Sequence, residues 1–232
     1  DLLARVPAGL GGHRGAGLRI TDLGCGPGTI TRVLHERWPK AYLTGVDGSG
    51  EMLSVARATD ELRGVEWHEA DITKWTPVDP PHLIFSNAVF HWLDHHDEIL
   101  PRLLGSLADG GVLAVQMAAN HAAPSHTAIF DLAESRPWAR QLEPLVRRRP
   151  LAEPEAYYDM LAAAANTLEI WTTEYLYLLE GENPIVEWVK GSVLKPFLDA
   201  LNSDQQIAFL EQYDNAVRAA YPQQSDGRTL FP

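Results

Sequence analysis

Apolar positions along this chain fall into short blocks separated by mixed stretches. Residues 18–23 (LRITDL), 41–46, 65–69, 82–86 (HLIFS) and 111–117 (GVLAVQM) read as strands, each too short for a buried helix. Residues 30–38, 52–58 and 99–107 read as helices, the first capped by Thr29 and stopped before Pro39. This alternation predicts an α/β fold, a mostly parallel sheet with right-handed crossovers and helices on both faces.

Beyond Met117 the alternation breaks, and a stretch rich in Pro, Arg and Trp runs to about Pro154. A connection of that length inside a domain reads as a functional loop or lid. Helix is expected again at 155–165, then a β-branched and aromatic strand at 168–178 (LEIWTTEYLYL). Residues 184–221 are helical in pattern, with Trp188, Leu194, Phe197, Leu201, Ile207, Leu210 and Val217 on apolar stripes, and are placed over the sheet as a second lid. The expected organisation is one domain over 1–232, with a core at about 17–120 and 153–180 and lid insertions at about 121–152 and 183–226. One more apolar strand is expected beyond Pro232 to complete a seven-stranded sheet, and a further segment is expected before Asp1, which is not an initiator Met.

Composition narrows the function. At 232 residues the chain is long enough for one well-packed catalytic unit, and 45% hydrophobic with 22% charged residues argues against disorder or a fibrous repeat. A formal net charge of -12 argues against nucleic acid and requires a local basic patch for any anionic substrate. Cys25 is the single cysteine, so no internal disulfide forms, and no apolar run approaches a bilayer span. A cytoplasmic setting away from membranes is expected.

The chemistry starts at Asp22-Leu23-Gly24-Cys25-Gly26-Pro27-Gly28, three glycines at alternate positions directly after a strand. Glycine serves where the backbone turns with positive φ and a ligand lies against it. The dinucleotide fingerprint needs G-x-G-x-x-G, and position 29 is Thr. An acid just before the glycines would repel a pyrophosphate; it suits a ligand carrying an ammonium and a sulfonium. Asp47, about 20 residues on, is the expected acceptor for ribose hydroxyls. Asp71, after the third strand, is placed to accept from an adenine amino group. Taken singly, each acid is also an ordinary turn or cap residue. Together they top successive strands at the crevice where open α/β sheets bind ligands.

The run 22–28 with Asp47, Asp71 and Ser86-Asn87 resembles the class I, seven-stranded S-adenosylmethionine-dependent methyltransferases, and implies their Rossmann-like sheet. More closely, the chain resembles the bacterial trans-aconitate 2-methyltransferase family, through residues 3–7, 22–28, 69–72, 83–88, 111–117, 150–152 and 156–159. His82 departs from the pattern, standing where many class I enzymes carry Asp. The resemblance implies that S-adenosylmethionine, leaving as S-adenosylhomocysteine, is held by Asp22, Gly24, Cys25, Gly26, Asp47, Met52, Asp71, Ile72 and Asn87. It implies methyl esterification of a small carboxylic acid, trans-aconitate, without a general base, since a carboxylate of ordinary pKa near ~4 is already ionised.

The substrate's remaining carboxylates call for arginine, whose planar fork matches them. Arg136, Arg140, Arg147, Arg148 and Arg149 cluster in the first lid, with Arg148 favoured, although a solvated basic face is the competing reading. Tyr157 and Tyr158 offer hydroxyl donors; His91 offers another, and Trp92 a pocket wall. His91, His95 and His96 lack a spaced third ligand type, so no metal is expected. Cys25 has no paired base and is not read as a nucleophile. The alternatives are another acceptor on a small metabolite, or an S-adenosylmethionine-binding protein without catalysis.

Overall fold

The computed structural model describes residues 2–10, 12, 17–148 and 151–232. By its contacts the chain divides into two compact units, Asp1–Ala118 with Ala152–Ile170, and Ala119–Leu151 with Trp171–Pro232.

Five strands of the first unit form one sheet: β1 (Arg19–Leu23), β2 (Tyr42–Asp47), β3 (Glu66–Glu69), β4 (Leu83–Asn87) and β5 (Val112–Gln116). Their order is β3-β2-β1-β4-β5, and every neighbouring pair is parallel. After α1 (Leu2–Arg5), the helices α2 (Thr29–Arg37), α3 (Gly50–Arg57) and α4 (His96–Gly105) connect β1 to β2, β2 to β3 and β4 to β5. The central strand β1 is buried at every residue but its first, as a strand covered on both faces must be. Ile20, Leu43, Leu83 and Phe85 pack with Leu34 and Trp38. Leu23, Val46 and Ile84 pack instead with Ile99, Leu100 and Leu103 of α4. His82 is buried and its Nδ1 accepts the Arg19 amide at 3.1 Å, a local tie at the start of β1. Helix α2 departs from expectation at its first turn. Gly28, at φ 85°, occupies the cap with no side-chain bond, and Thr29 is already helical.

The second unit contains α5 (Pro124–Glu134) and α6 (Ala139–Leu142), whereas α7 (Pro154–Leu161) belongs to the first. The strand expected at 168–178 shrinks to β6 (Tyr177–Leu179). Helices α8 (Pro184–Lys190), α9 (Lys195–Asp199) and α10 (Ser203–Ala220) follow, then β7 (Thr229–Phe231), which pairs antiparallel with β6. The described central sheet therefore has five strands rather than seven. Residues 168–176 have strand composition but no ladder partner, and side-chain preference alone does not satisfy a strand's backbone. The two stretches read as separate lids share one core, where Phe130, Trp138 and Leu142 meet Phe197, Phe209 and Tyr213. Helix α10 opens on a capping box in which Asn202 and Gln205 satisfy each other's amides. No helix among the described residues is long and apolar enough to cross a membrane.

Candidate active site

The strand order reverses between β1 and β4, and the carboxyl ends of β1, β2, β3 and β4 converge there. The loop after β1 is held closely. The Gly24 and Cys25 amides donate to the Val46 carbonyl at 2.7 and 3.1 Å, and the Gly28 amide donates to the Cys25 carbonyl at 3.0 Å. Gly24, Gly26 and Gly28 all have positive φ. At Gly24 a Cβ would meet Val89 at 2.2 Å, whereas at Gly26 it would stand in open space. Gly24 is thus needed by the fold, and Gly26 presents bare backbone.

Asp47 ends β2, and both its oxygens are tied: Oδ2 accepts the Gly26 amide and Oδ1 the Ser49 amide, each at 2.8 Å. It stands beside Glu69, its register partner on β3. Asp71 accepts the Thr73 amide at 2.9 Å and the Thr73 hydroxyl at 2.6 Å, bonds that hold its carboxyl below the usual range. Arg102 of α4 donates to the Trp75 carbonyl, and to that of Thr73 at 2.8 Å, fixing the turn that Asp71 begins. Gly48, Glu69, Ala70, Asp71, Ile72 and Leu93 line a hollow of about 470 Å³.

Asp22 lies beneath the glycine loop, only 1% exposed, and accepts the Thr31 hydroxyl at 2.6 Å. Burial pushes its carboxyl up to about 6, the charge of Asp47 adding and the Thr31 bond opposing. The Cys25 thiol is raised far above its ordinary range, by burial first and then by Asp22 and Asp47, and stays protonated. Met52 is exposed at the start of α3, where its amide donates to the Ser49 hydroxyl at 3.3 Å.

Asn87 ends β4 and is followed by Ala88, at φ 59°, and by the short helical turn Phe90–Trp92. His91 is buried, and its Nδ1 accepts the Ala118 amide at 3.4 Å, which leaves the hydrogen on Nε2. Trp92 is exposed, its ring 4.8 Å from that of His91. Tyr157 of α7 hydrogen-bonds His96.

Arg148 belongs to the second unit. Its Nη2 lies 2.7 Å from both Asp131 and Glu134, and these bonds raise its pKa further. Arg147 bonds the Pro144 and Val146 carbonyls, and Arg149 lies outside the described residues. The structure thus gathers Asp22, Gly24, Cys25, Gly26, Asp47, Asp71 and Ile72 around one loop and hollow, with His91 and Tyr157 in the same unit. Glu69, Leu93 and Arg102 are additions to the expected residues, and His96, considered in sequence only for a metal, instead bonds Tyr157 and the Phe90 carbonyl. Only Glu69 carried a signal, as an acid at a strand end. Among the described residues no three His, Cys, Asp or Glu are grouped to hold a metal.

The site's donor set suits an adenosyl sulfonium. The hollow falls within the ordinary volume of a small-molecule site. Its acids accept from hydroxyl and amino groups and favour a cation, and they would repel a pyrophosphate.

The methyltransferase domain family matches residues 20–111. The trans-aconitate 2-methyltransferase of Azoarcus sp. (strain BH72) is 46% identical over 232 residues, spanning 100% of this chain and 88% of that protein. That of Methylobacterium nodulans is 46% identical over 233 residues, spanning 100% and 87%. A solved S-adenosylmethionine-dependent methyltransferase from Mesorhizobium loti is 22% identical, with a TM-score of 0.49, covering 84% of this chain and 90% of that one. Identity at this level along both units shows that the chain belongs to the trans-aconitate 2-methyltransferase family.

Proposed function

We propose that this enzyme transfers the methyl group of S-adenosylmethionine to a carboxylate of trans-aconitate, giving the monomethyl ester. The observation that carries the reading is identity of 46% through both compact units, not only through the glycine-loop sheet that many methyltransferases share.

Bound S-adenosylmethionine supplies an electrophilic methyl group on a cationic sulfur. Asp47, Glu69 and Asp71 offer acceptors to its hydroxyl and amino groups, Ile72 and Leu93 line the same hollow, and Gly26 lets the ligand approach the backbone. Asp22 sets a negative charge beneath that loop.

The acceptor carboxylate is ionised at neutral pH, so the protein has no proton to remove. Its task is alignment of a carboxylate oxygen with the methyl group, a contribution worth roughly 7–11 kcal/mol in well-oriented reactions. Within the first unit His91, through Nε2–H, is the donor assigned to a substrate carboxylate; within the second, Arg148 is the arginine assigned to carboxylate recognition. For Arg148 this means exchanging Asp131 and Glu134 for the substrate, anion for anion. A single cysteine and a soluble metabolite as acceptor fit a cytoplasmic setting.

The test is an acceptor screen with methyl-labelled cofactor against di- and tricarboxylic acids and the corresponding amides. Label is expected in trans-aconitate and not in its amide. Label entering the amide equally, or no acid at all, overturns the reading.

A further inference from the structure

Helix α4 opens on a histidine whose ring joins two hydrogen bonds. His96 Nε2 lies 2.8 Å from the Phe90 carbonyl, and His96 Nδ1 lies 2.8 Å from the Tyr157 hydroxyl. A carbonyl only accepts, so Nε2 carries the hydrogen; Nδ1 of that tautomer accepts the Tyr157 O–H. The phenol oxygen takes a further bond from the Ala152 backbone, and burial holds its pKa above the ordinary range. The other partner within reach of the phenol is the Met117 sulfur at 3.8 Å, a weak acceptor.

These bonds end on the Phe90–Trp92 turn, which carries His91 and Trp92. Phe90 also packs against the His96 ring, edge to face, at 5.5 Å between centroids. The turn is bracketed by Ala88 at φ 59° and His95 at φ 61°, both non-glycine residues in the left-handed region. Backbone of that kind persists only where its surroundings hold it. Here the surroundings are a ring from α4 backed by a phenol from α7.

We propose that His96, fixed as the Nε2–H tautomer by the Phe90 carbonyl and held in place by the Tyr157 hydroxyl, is a positioning residue that sets the Phe90–Trp92 turn, and that Tyr157 acts through His96 rather than on the substrate. The kinetic part rests on the methyl-transfer reading above. The hydrogen-bond part does not.

The kinetic test is a double-mutant cycle on kcat/KM for trans-aconitate with His96→Ala, Tyr157→Phe and the pair together. Each single change is expected to lower it about ten-fold, since His96→Ala removes both part-buried bonds of the ring and Tyr157→Phe the one that orients it. The double change is expected to cost no more than the worse single one, because the two residues act as one unit. Losses that multiply to about a hundred-fold would mean that Tyr157 works independently, and overturn the proposal. His96→Gln, whose amide can still donate to the Phe90 carbonyl, is expected to recover most of what His96→Ala loses. Affinity for S-adenosylhomocysteine by calorimetry is expected to stay within about two-fold in every variant, since no cofactor group is removed. An equal fall in affinity and kcat/KM assigns the pair to general folding and overturns the positioning role. Imidazole nitrogen NMR on the unsubstituted enzyme needs neither activity nor a stable variant. It is expected to show the neutral His96 ring with its hydrogen on Nε2; a neutral ring with its hydrogen on Nδ1 overturns the proposal. The expected tautomer without transfer to trans-aconitate would remove the functional reading and leave the placement of His96 intact.

Discussion

The Asp47 carboxylate holds the Gly26 amide at 2.8 Å, so the acid that ends β2 also fixes the loop that follows β1. Its second oxygen holds the Ser49 amide at the start of α3. One side chain therefore sets the positions of two backbone segments beside the ligand hollow. Asp47→Asn leaves one acceptor oxygen and turns an amide donor against a backbone N–H. It is expected to weaken S-adenosylhomocysteine binding at least ten-fold, about the value of a charged hydrogen bond. Calorimetry checks this, and an unchanged affinity contradicts the role given to Asp47.

Gly24 and Gly26 separate fold from ligand. Both have positive φ, at 80° and 53°, and an added side chain at either is strained by about 1–2 kcal/mol. At Gly24 the new methyl also strikes Val89, so Gly24→Ala is expected to lower stability by about 3 kcal/mol or more. At Gly26 it meets only open space. Gly26→Ala is expected to cost just the backbone strain while weakening S-adenosylhomocysteine binding more than ten-fold. Denaturant unfolding and calorimetry on the two variants distinguish the cases.

Asp22 gives a pH signature. Its carboxyl is pushed from its ordinary 3.8 to about 6 in the folded chain, mainly by burial. The folded state therefore holds the proton more tightly than the unfolded one. Its contribution to stability is fully present below about pH 4 and is lost as pH rises through about 6, at a cost of about 3 kcal/mol above that. Asp22→Asn removes the ionisation and is expected to gain stability relative to the unsubstituted chain between pH 4 and 7, while losing cofactor affinity. A stability difference that does not change with pH contradicts this assignment.

The positions of the glycine loop, Asp47 and Asp71 at strand ends were legible, because strand ends follow from apolar blocks and turn residues. Leu93 and Arg102 were not, since Leu93 reaches the hollow, and Arg102 the turn after Asp71, through packing between elements distant in sequence. In sequence His96 has only the aspect of a possible metal ligand; nothing local shows that Tyr157, 61 residues away, is its partner. Residues 168–176 misled for the opposite reason. Their aromatic and β-branched side chains suit a sheet, but strand identity depends on a partner that composition does not reveal. Arg148 looked available in sequence, whereas Asp131 and Glu134, from α5, already engage it.

That engagement makes Arg148 a discriminating position. Arg148→Ala is expected to raise KM for trans-aconitate about ten-fold, as loss of a charge-assisted bond does, and to leave S-adenosylhomocysteine affinity unchanged. Steady-state kinetics with the acid as varied substrate checks it. An unchanged KM would leave Arg148 as a partner of α5 alone.

The central claim is that acids at the ends of neighbouring parallel strands hold an adenosyl group beside the glycine loop, and a crystal of the enzyme grown with S-adenosylhomocysteine tests it most directly. The account predicts ribose hydroxyls on Asp47, the adenine between Ile72 and Leu93 with its amino group toward Asp71, and no side chain between the ligand and Gly26. Density for the ligand elsewhere, or a hollow closed by Glu69 and Leu93, contradicts it.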